Sequence, residues 1–498
     1  MAESTTRGDV LLLVTNDTHS TMVPYVQNEL DGGGDITVGG VARRTSYFKQ
    51  RQDEQPLILD VGDSFQGSPY FSFFGGEVEL AAMERMQYKA SAVGNHDFDS
   101  GLAELQRHAR EQSPNLKLMC ANVIDEATGS LVFEPHSIHE AGEGKWKVGI
   151  VALMGEEAWS VVDKKLRKGL KLTDPFTAAR QSVEQLKADG AELLVCLSHT
   201  GVDEARGASN DAALAELGLF DVVFSGHAHF RPRQMEMRLA DNGKTLLHPG
   251  VHNGQAVVWA KFSMERTPDG TACIGREGGA DLIDSTYADD EEMALWLQGY
   301  AVQFEAILNE EVGTCVGFCK YASPPAPPIN FAYHSSLADA LLTTFAEHGA
   351  QFSAINSAGI RSNMPEGSIC YKHVEACWPW KNNAHRCEVS GELILELLED
   401  NATKIAKGLD DGMFLHFAGL DYQVQDGNPV GVMIGGQALE VGSWYGFVAD
   451  GYLVCSTLSG YPAAATGQRN VQDCGILTQS CIVDHIKALH TQGRKFGS

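Results

Sequence analysis

The 498 residues contain no C-x-x-C pair, no apolar run long enough to cross a bilayer, no internal repeat and no low-complexity tract. Each absence removes a class of protein. Eleven cysteines, scattered and odd in number, argue for reduced thiols rather than a disulfide framework or a thiolate zinc site. The apolar stretch VLLLV at 10–14 is too short for a signal-peptide core and far short of the ~20 residues of a membrane helix. These features predict a cytoplasmic protein with no membrane span. A secreted or periplasmic protein whose leader has been removed is the alternative.

Positive charge is also scarce. Lys+Arg number 38 against 65 Asp+Glu, giving a net charge of −27. Such a surface repels phosphate backbones and anionic lipid, so a nucleic-acid partner is not expected. An anionic small substrate requires a local positive centre, which a bound metal supplies more readily than scattered lysines. What remains is ordinary globular usage, 43% hydrophobic and 21% charged, over a length that predicts two to four domains.

Five short apolar runs in the first half end in polar, metal-binding residue types: VLLLVTND (10–17), PLILDVGD (56–63), SAVGNHD (91–97), ELLVCLSH (192–199) and DVVFSGH (221–227). Polar, helix-like stretches separate them, which predicts alternating β/α architecture with functional loops beyond the strand carboxyl ends. An acidic first turn opens a helical pattern over 289–312, read as a connector, and ASPPAPPIN (322–330) stiffens the entry to a second domain. The expected organisation is a first domain at 1–285, a connector at 286–325 and an α+β domain at 326–498. In the last of these, SSLADALLTTFAEHG and GELILELLEDNATKI read as helices, AINSAGIRS and FLHFAGLDYQV as strands.

The polar residues after the strand runs carry the chemistry. Asp17 and His19 form a D-x-H pair, Asp63 follows in VGDSFQG, and Asn95, His96, Asp97 and Asp99 lie in GNHDFD. His199 ends LVCLSH, and His227 and His229 make the H-x-H of SGHAHF. Any one strand-end Asp or His is more often a cap or turn former than a ligand. Five such elements in the order D-x-H, GD, GNHD, H, GHxH, each after an apolar run, are not explained by five unrelated turns.

With TNDTH, VGDSFQGSP, AVGNHDFDSG and SGHAH in the first half and NSAGIRSNMPEGSI and PWKNN in the second, the chain resembles the 5'-nucleotidase family of calcineurin-like metallophosphatases. The resemblance implies a four-layer αββα sandwich followed by an α+β substrate domain joined through a helix. It also implies two divalent metal ions, one held by Asp17, His19, Asp63 and His229, the other by Asp63, Asn95, His199 and His227. Nitrogen and oxygen donors without thiolate suit Zn, Mn, Fe or Co. The implied activity is hydrolysis of nucleoside 5'-monophosphates or related nucleotides by in-line attack of a metal-bridging hydroxide. His96, oriented by Asp99, would assist the leaving group. Asp97 reads as an ordinary loop acid.

In the second domain the resemblance assigns nucleotide binding to Asn356 and Arg361, with a base stacked between Trp380 and Tyr452. Three positions depart from the family pattern. Ser20 stands where glycine is usual, INFAYHSSLADA lacks the usual arginine, and the glycine-rich loop near the end survives only as Leu458, Ser459, Gly460 and Tyr461. The metal site is intact and the specificity site altered. A phosphodiesterase or pyrophosphatase acting on cyclic nucleotides or UDP-sugar is therefore the alternative within the family. A non-catalytic nucleotide-binding protein would lack ligands or the His96/Asp99 dyad, and none is lacking here. The oligomeric state is not legible.

Overall fold

The computed structural model describes residues 5–28, 35–163, 165–201, 211–229, 237–268, 270–318, 331–380, 382–407, 414–461 and 463–498. They divide into two compact units, Met1–Ala301 and Val302–Ser498. The first unit is built on two six-stranded sheets. In chain order their strands are β1 (Thr6–Thr15), β2 (Leu57–Asp60), β3 (Ala90–Ala92), β4 (Lys117–Met119), β5 (His136–Ala141), β6 (Trp146–Met154), β7 (Leu193–His199), β8 (Val222–Ser225), β9 (Arg238–Leu239), β10 (Leu246–His248), β11 (Ala256–Thr267) and β12 (Gly270–Leu282).

One sheet runs β12-β11-β1-β2-β3-β4 and the other β9-β10-β8-β7-β6-β5. Strands β1 to β4 are mutually parallel, as are β6, β7, β8 and β10, while the outer strands are antiparallel. Alternation places Val10, Leu12 and Val14 of β1 and Val195 and Leu197 of β7 in one core between the sheets, with Trp146, Ile150 and Phe224. Each such fully buried aliphatic side chain contributes ~1.5–3 kcal/mol.

The other face of β7, Leu194 and Cys196, packs instead on Ala179, Val183 and Leu186 of the helix Pro175–Ala188. Leu11 and Leu13 of β1 are equally buried, so both sheets are covered on both faces. This is the expected αββα arrangement. Strand β1 starts earlier than its apolar run, because Thr6 to Asp9 still pair with Ser263 to Arg266 of β11. Strand β3 is only three residues long.

The second unit contains a five-stranded mixed sheet flanked by helices on both faces. Its strands are β13 (Phe352–Asn356), β14 (Asn383–Ser390), β15 (Leu415–Ala418), β16 (Trp444–Asp450) and β17 (Gln468–Leu477), in the order β15-β13-β16-β14-β17. Leu337 and Leu341 of the helix Phe331–Phe345 share one core with Ile482 and Ile486 of Thr478–Thr491. Leu393, Ile394 and Leu397 of Gly391–Lys407 build the other against Phe352 and Phe447.

The connector pattern forms a helix only over Glu291–Leu308. Residues Glu311–Phe318, expected to complete that helix and begin a linker, are a strand paired with Met364–Cys370. The sequence EVGTCVGF, rich in glycine and β-branched residues, explains the change of state. The proline cluster at 322–330 lies outside the described residues.

Candidate functional site

Asp17, Asp63, Asn95, His199 and His227 all lie at or just beyond the carboxyl ends of parallel strands β1, β2, β3, β7 and β8. The chain must turn sharply at each. Asp17, His19, Asp63, His227 and His229 all adopt left-handed backbone conformations, with φ between 44° and 71°. Non-glycine residues seldom do so, and each costs ~1–3 kcal/mol that the surroundings must offset.

The offset is visible in the hydrogen bonds. Asp17 N–H donates to Gly62 O at 2.8 Å, His19 N–H to Asp63 O at 3.0 Å, and Asn253 N–H to Asp17 O at 2.7 Å. Asp97 accepts from the N–H groups of Asp63 (3.0 Å), Ser64 (3.1 Å) and Gly94 (2.8 Å), so this buried carboxylate organises the Asp63 loop. The plain loop-acid reading misses that role. Two glycines are required by space. A Cβ on Gly94 would collide with the Asp63 carboxylate, and one on Gly226 would lie 2.8 Å from His199 Nδ1.

The donor atoms of Asp17, His19 and His229 lie within 4.8 Å of one another, as do those of Asp63, His199 and His227. In the first group His19 Nε2 faces His229 Nε2 at 2.9 Å, and His229 Nε2 lies 3.5 Å from Asp17 Oδ1. In the second, His199 Nε2 lies 3.4 Å from Asp63 Oδ2 and 3.2 Å from Asn95 Oδ1. His19 Nδ1 meets Phe65 O at 3.2 Å and His199 Nδ1 meets Val61 O at 2.9 Å. A carbonyl can only accept, so both Nδ1 atoms carry protons, and Nε2 is the nitrogen that each ring turns to the cluster.

Electrostatics agree with a cation site. Burial alone would push the Asp17 and Asp63 carboxyls up. His229 and His199 hold Asp17 far below the ordinary carboxylate range, and His199 and His96 do the same for Asp63. Burial and the neighbouring His229 drive the His19 imidazole well down. Burial would also lower His199, yet Asp63 and Asp17 pull it up to about 10. The two carboxylates therefore call for positive charge at His199 Nε2, which a proton or a cation satisfies.

His96 N–H donates to Asp63 Oδ1 at 2.7 Å, and its Nδ1 lies 2.8 Å from Asp99 Oδ2. The ring is edge-on to His19 at 5.3 Å between centroids, which places the dyad beside the first donor group. Three neighbours escape the sequence reading. Asn16 Nδ2 donates to Asp17 Oδ2 at 2.6 Å, His252 stacks on His229 at 5.0 Å, and a Glu157 carboxylate oxygen contacts His227 Nε2. A signal for Glu157 exists, since VGIVALMGEE is, like the runs already recognised, an apolar run followed by residues of a metal-binding type.

In the second unit Asn356 is buried at the end of β13. Arg361 lies with its guanidinium carbon 4.5 Å over the Trp380 ring, and Trp380 Nε1 donates to Gly359 O at 2.7 Å. Tyr452 is tied to the same region through its N–H, which shares Asp450 Oδ1 with Asn382 Nδ2 at 2.9 and 3.0 Å. The altered loop at Leu458–Gly460 is a short 3₁₀ turn.

A four-layer α/β sandwich whose parallel strands deliver two adjacent sets of oxygen and nitrogen donors defines a metal-dependent hydrolase scaffold. Residues 10–231 match the calcineurin-like phosphoesterase family and residues 331–464 match the 5'-nucleotidase C-terminal domain. The chain belongs to the calcineurin-like metallophosphoesterases, in the 5'-nucleotidase family, and is a phosphoric ester hydrolase. It is 24% identical to a 5'-nucleotidase of Vibrio cholerae, over 96% of this chain and 90% of that protein. A 5'-nucleotidase of Vibrio vulnificus is 25% identical, over 91% of this chain and 85% of that protein. The crystal structure of a 5'-nucleotidase precursor from Thermus thermophilus superposes with a TM-score of 0.77, covering 97% of each chain at 23% identity.

The family implies divalent metal ions, and the donor set fits them: hard oxygens and borderline imidazoles, no thiolate, and tautomers fixed from behind. These relatives lend no support to a cytoplasmic compartment. No helix among the described residues is long and apolar enough to cross a membrane.

Proposed function

We propose that the protein hydrolyses nucleoside 5'-monophosphates or closely related nucleotides. The observation that carries this reading is the pair of donor groups at the strand ends, with the His96/Asp99 dyad beside them. Asp17, His19, Asp63 and His229 would hold one cation, and Asp63, Asn95, His199 and His227 the other. Two divalent ions, when bound, supply Lewis acidity toward a phosphoryl group and lower the pKa of water.

The chain's own residues do the rest. Asp99 holds His96 by Nδ1 and leaves Nε2 as the atom that gives a proton to the departing alkoxide. Asp97 and the backbone ring around Asp63 fix the carboxylate before substrate arrives. In the second unit, Arg361 offers a guanidinium fork to phosphate or ribose oxygens. Trp380 and Tyr452 offer aromatic faces to a base, worth ~1–3 kcal/mol each. Asn356 completes the polar contacts.

The test is elemental analysis of the purified protein, then phosphate release with the identified metal supplied. AMP should be cleaved faster than UDP-glucose or 2',3'-cyclic AMP. Faster cleavage of either of the latter makes the protein a pyrophosphatase or phosphodiesterase, and a metal-loaded sample inert on all three overturns the nucleotide reading.

A further inference from the structure

The imidazoles of the two donor groups are not all held in the same way. His19 and His199 are fixed through Nδ1 by main-chain carbonyls and turn Nε2 to the donor cluster. His227 is the reverse case, because its Nε2 is the atom that meets a carboxylate oxygen of Glu157. Among the described residues Glu157 is not a member of the donor group formed by Asp63, His199 and His227. It touches the imidazole from outside that group.

The fold delivers Glu157 to this position. Met154 at the end of β6 pairs with His199, and the next residue, Gly155, donates its N–H to His199 O at 3.1 Å. A Cβ on Gly155 would come within 2.8 Å of the Thr200 backbone, so only glycine permits the strand to turn here. The short helix Glu156–Val161 then starts next to the end of β7, with Glu157 in its first turn. Trp159, two residues on, anchors that helix by packing edge-on against Phe98 at 5.7 Å. Phe98 is itself buried in the loop that carries His96 and Asp99. Glu157 is therefore held between the second donor group and the dyad loop.

We propose that Glu157 is a positioning residue for the second cation. Its carboxylate accepts the Nε2 proton of His227, fixes that tautomer and leaves Nδ1 as the electron-pair donor. A carboxylate behind a ligating imidazole raises its basicity, and loss of such a partner typically weakens metal binding by ~10–100-fold. Among the described residues no carboxylate from outside the first donor group holds either of its imidazoles, so the effect falls on one cation of the two.

This inference rests on His227 being a ligand, and the experiment separates the two claims. Holo protein and its Glu157→Ala and Glu157→Gln variants are titrated against a competing chelator, with metal content and thermal unfolding followed in parallel. Wild type should hold two equivalents. Glu157→Ala should lose one of them ~10–100-fold more readily and keep the other unchanged, with Glu157→Gln in between because an amide oxygen accepts without charge. X-ray absorption of the cobalt-loaded proteins should count the same number of nitrogen and oxygen donors in wild type and Glu157→Gln. Wild type that binds fewer than two ions overturns the site reading itself. Two ions held as tightly by Glu157→Ala as by wild type overturn the role of Glu157 alone, and so does the loss of one donor atom, which would make Glu157 a ligand.

Discussion

The Arg361 guanidinium lies 4.5 Å over the face of Trp380, whose Nε1 is committed to Gly359 O. The cation–π contact and the hydrogen bond lock both side chains, so this pair is rigid before any ligand arrives. If the pair holds the nucleoside, Trp380→Ala should raise KM for AMP by ~5–100-fold, the equivalent of one lost stack plus a loosened arginine. The rate on p-nitrophenyl phosphate, which has no base, should be unchanged. Equal losses on both substrates would assign Trp380 to packing.

Removing His96 tests the leaving-group role. His96→Ala should lower kcat on AMP by ~10²–10⁴-fold with both metals retained. The loss should shrink on p-nitrophenyl phosphate, whose leaving group is stable without a proton. Asp99→Asn should show a smaller fall on AMP, since the ring survives without its charged partner at Nδ1. An unchanged rate in His96→Ala removes the dyad from the reaction.

Asp211 predicts a pH dependence of stability. It is buried behind the second donor group, where it accepts hydrogen bonds from Thr200 Oγ1 at 2.5 Å and from Ser225 Oγ. Burial lifts its carboxyl from 3.8 to about 7. A carboxyl raised on folding contributes stability that is complete below the unfolded value and is lost as the pH rises through the folded one. The Tm of wild type relative to Asp211→Asn should therefore fall between about pH 4 and about pH 7, measured by calorimetry with saturating metal. A flat difference would mean that Asp211 is ionised in the fold throughout.

Ser20 has φ 51°, and its hydroxyl bonds to Ser68 Oγ at 2.6 Å and to Glu79 Oε1. Glu79 is buried, its carboxyl lifted to about 7 by desolvation. The hydroxyl thus offsets the strain that glycine would have avoided. Ser20→Gly should cost ~1–2 kcal/mol in wild type, because Glu79 loses a buried partner. In a Glu79→Met background the same change should cost nothing or stabilise, giving a coupling of ~1–3 kcal/mol by chemical denaturation. Additive effects would show that the two residues are independent.

The candidate metal site is the most legible part of the chain because its donor residues lie at or just beyond the ends of apolar strands, where burial patterning and polar chemistry meet in one short segment. His199 shows this best: its strand and its donor nitrogen occupy the same seven residues, LLVCLSH. Glu157 is hard to read because its strand, WKVGIVALM, is followed by Gly155 and two acids with no histidine nearby in sequence, and its partner His227 lies 70 positions away. Asp97 is hidden for a related reason. Its importance comes from four backbone N–H groups gathered by the fold, which no local pattern records. The strand Glu311–Phe318 is masked by the acidic helix before it, since a helical period carries no mark of where tertiary pairing with Met364–Cys370 takes over.

Both donor groups straddle the seam between the two sheets of the first unit. Asp17 and His19 come from one sheet and His229 from the other; Asp63 comes from one and His199 and His227 from the other. Neither layer owns a complete set, so an ion bound at either group would tie the two layers together in addition to their shared apolar core. Such an ion would work as a rivet through the sandwich, and stripping it should show first as faster amide exchange along β1 and β7 rather than as frayed ends.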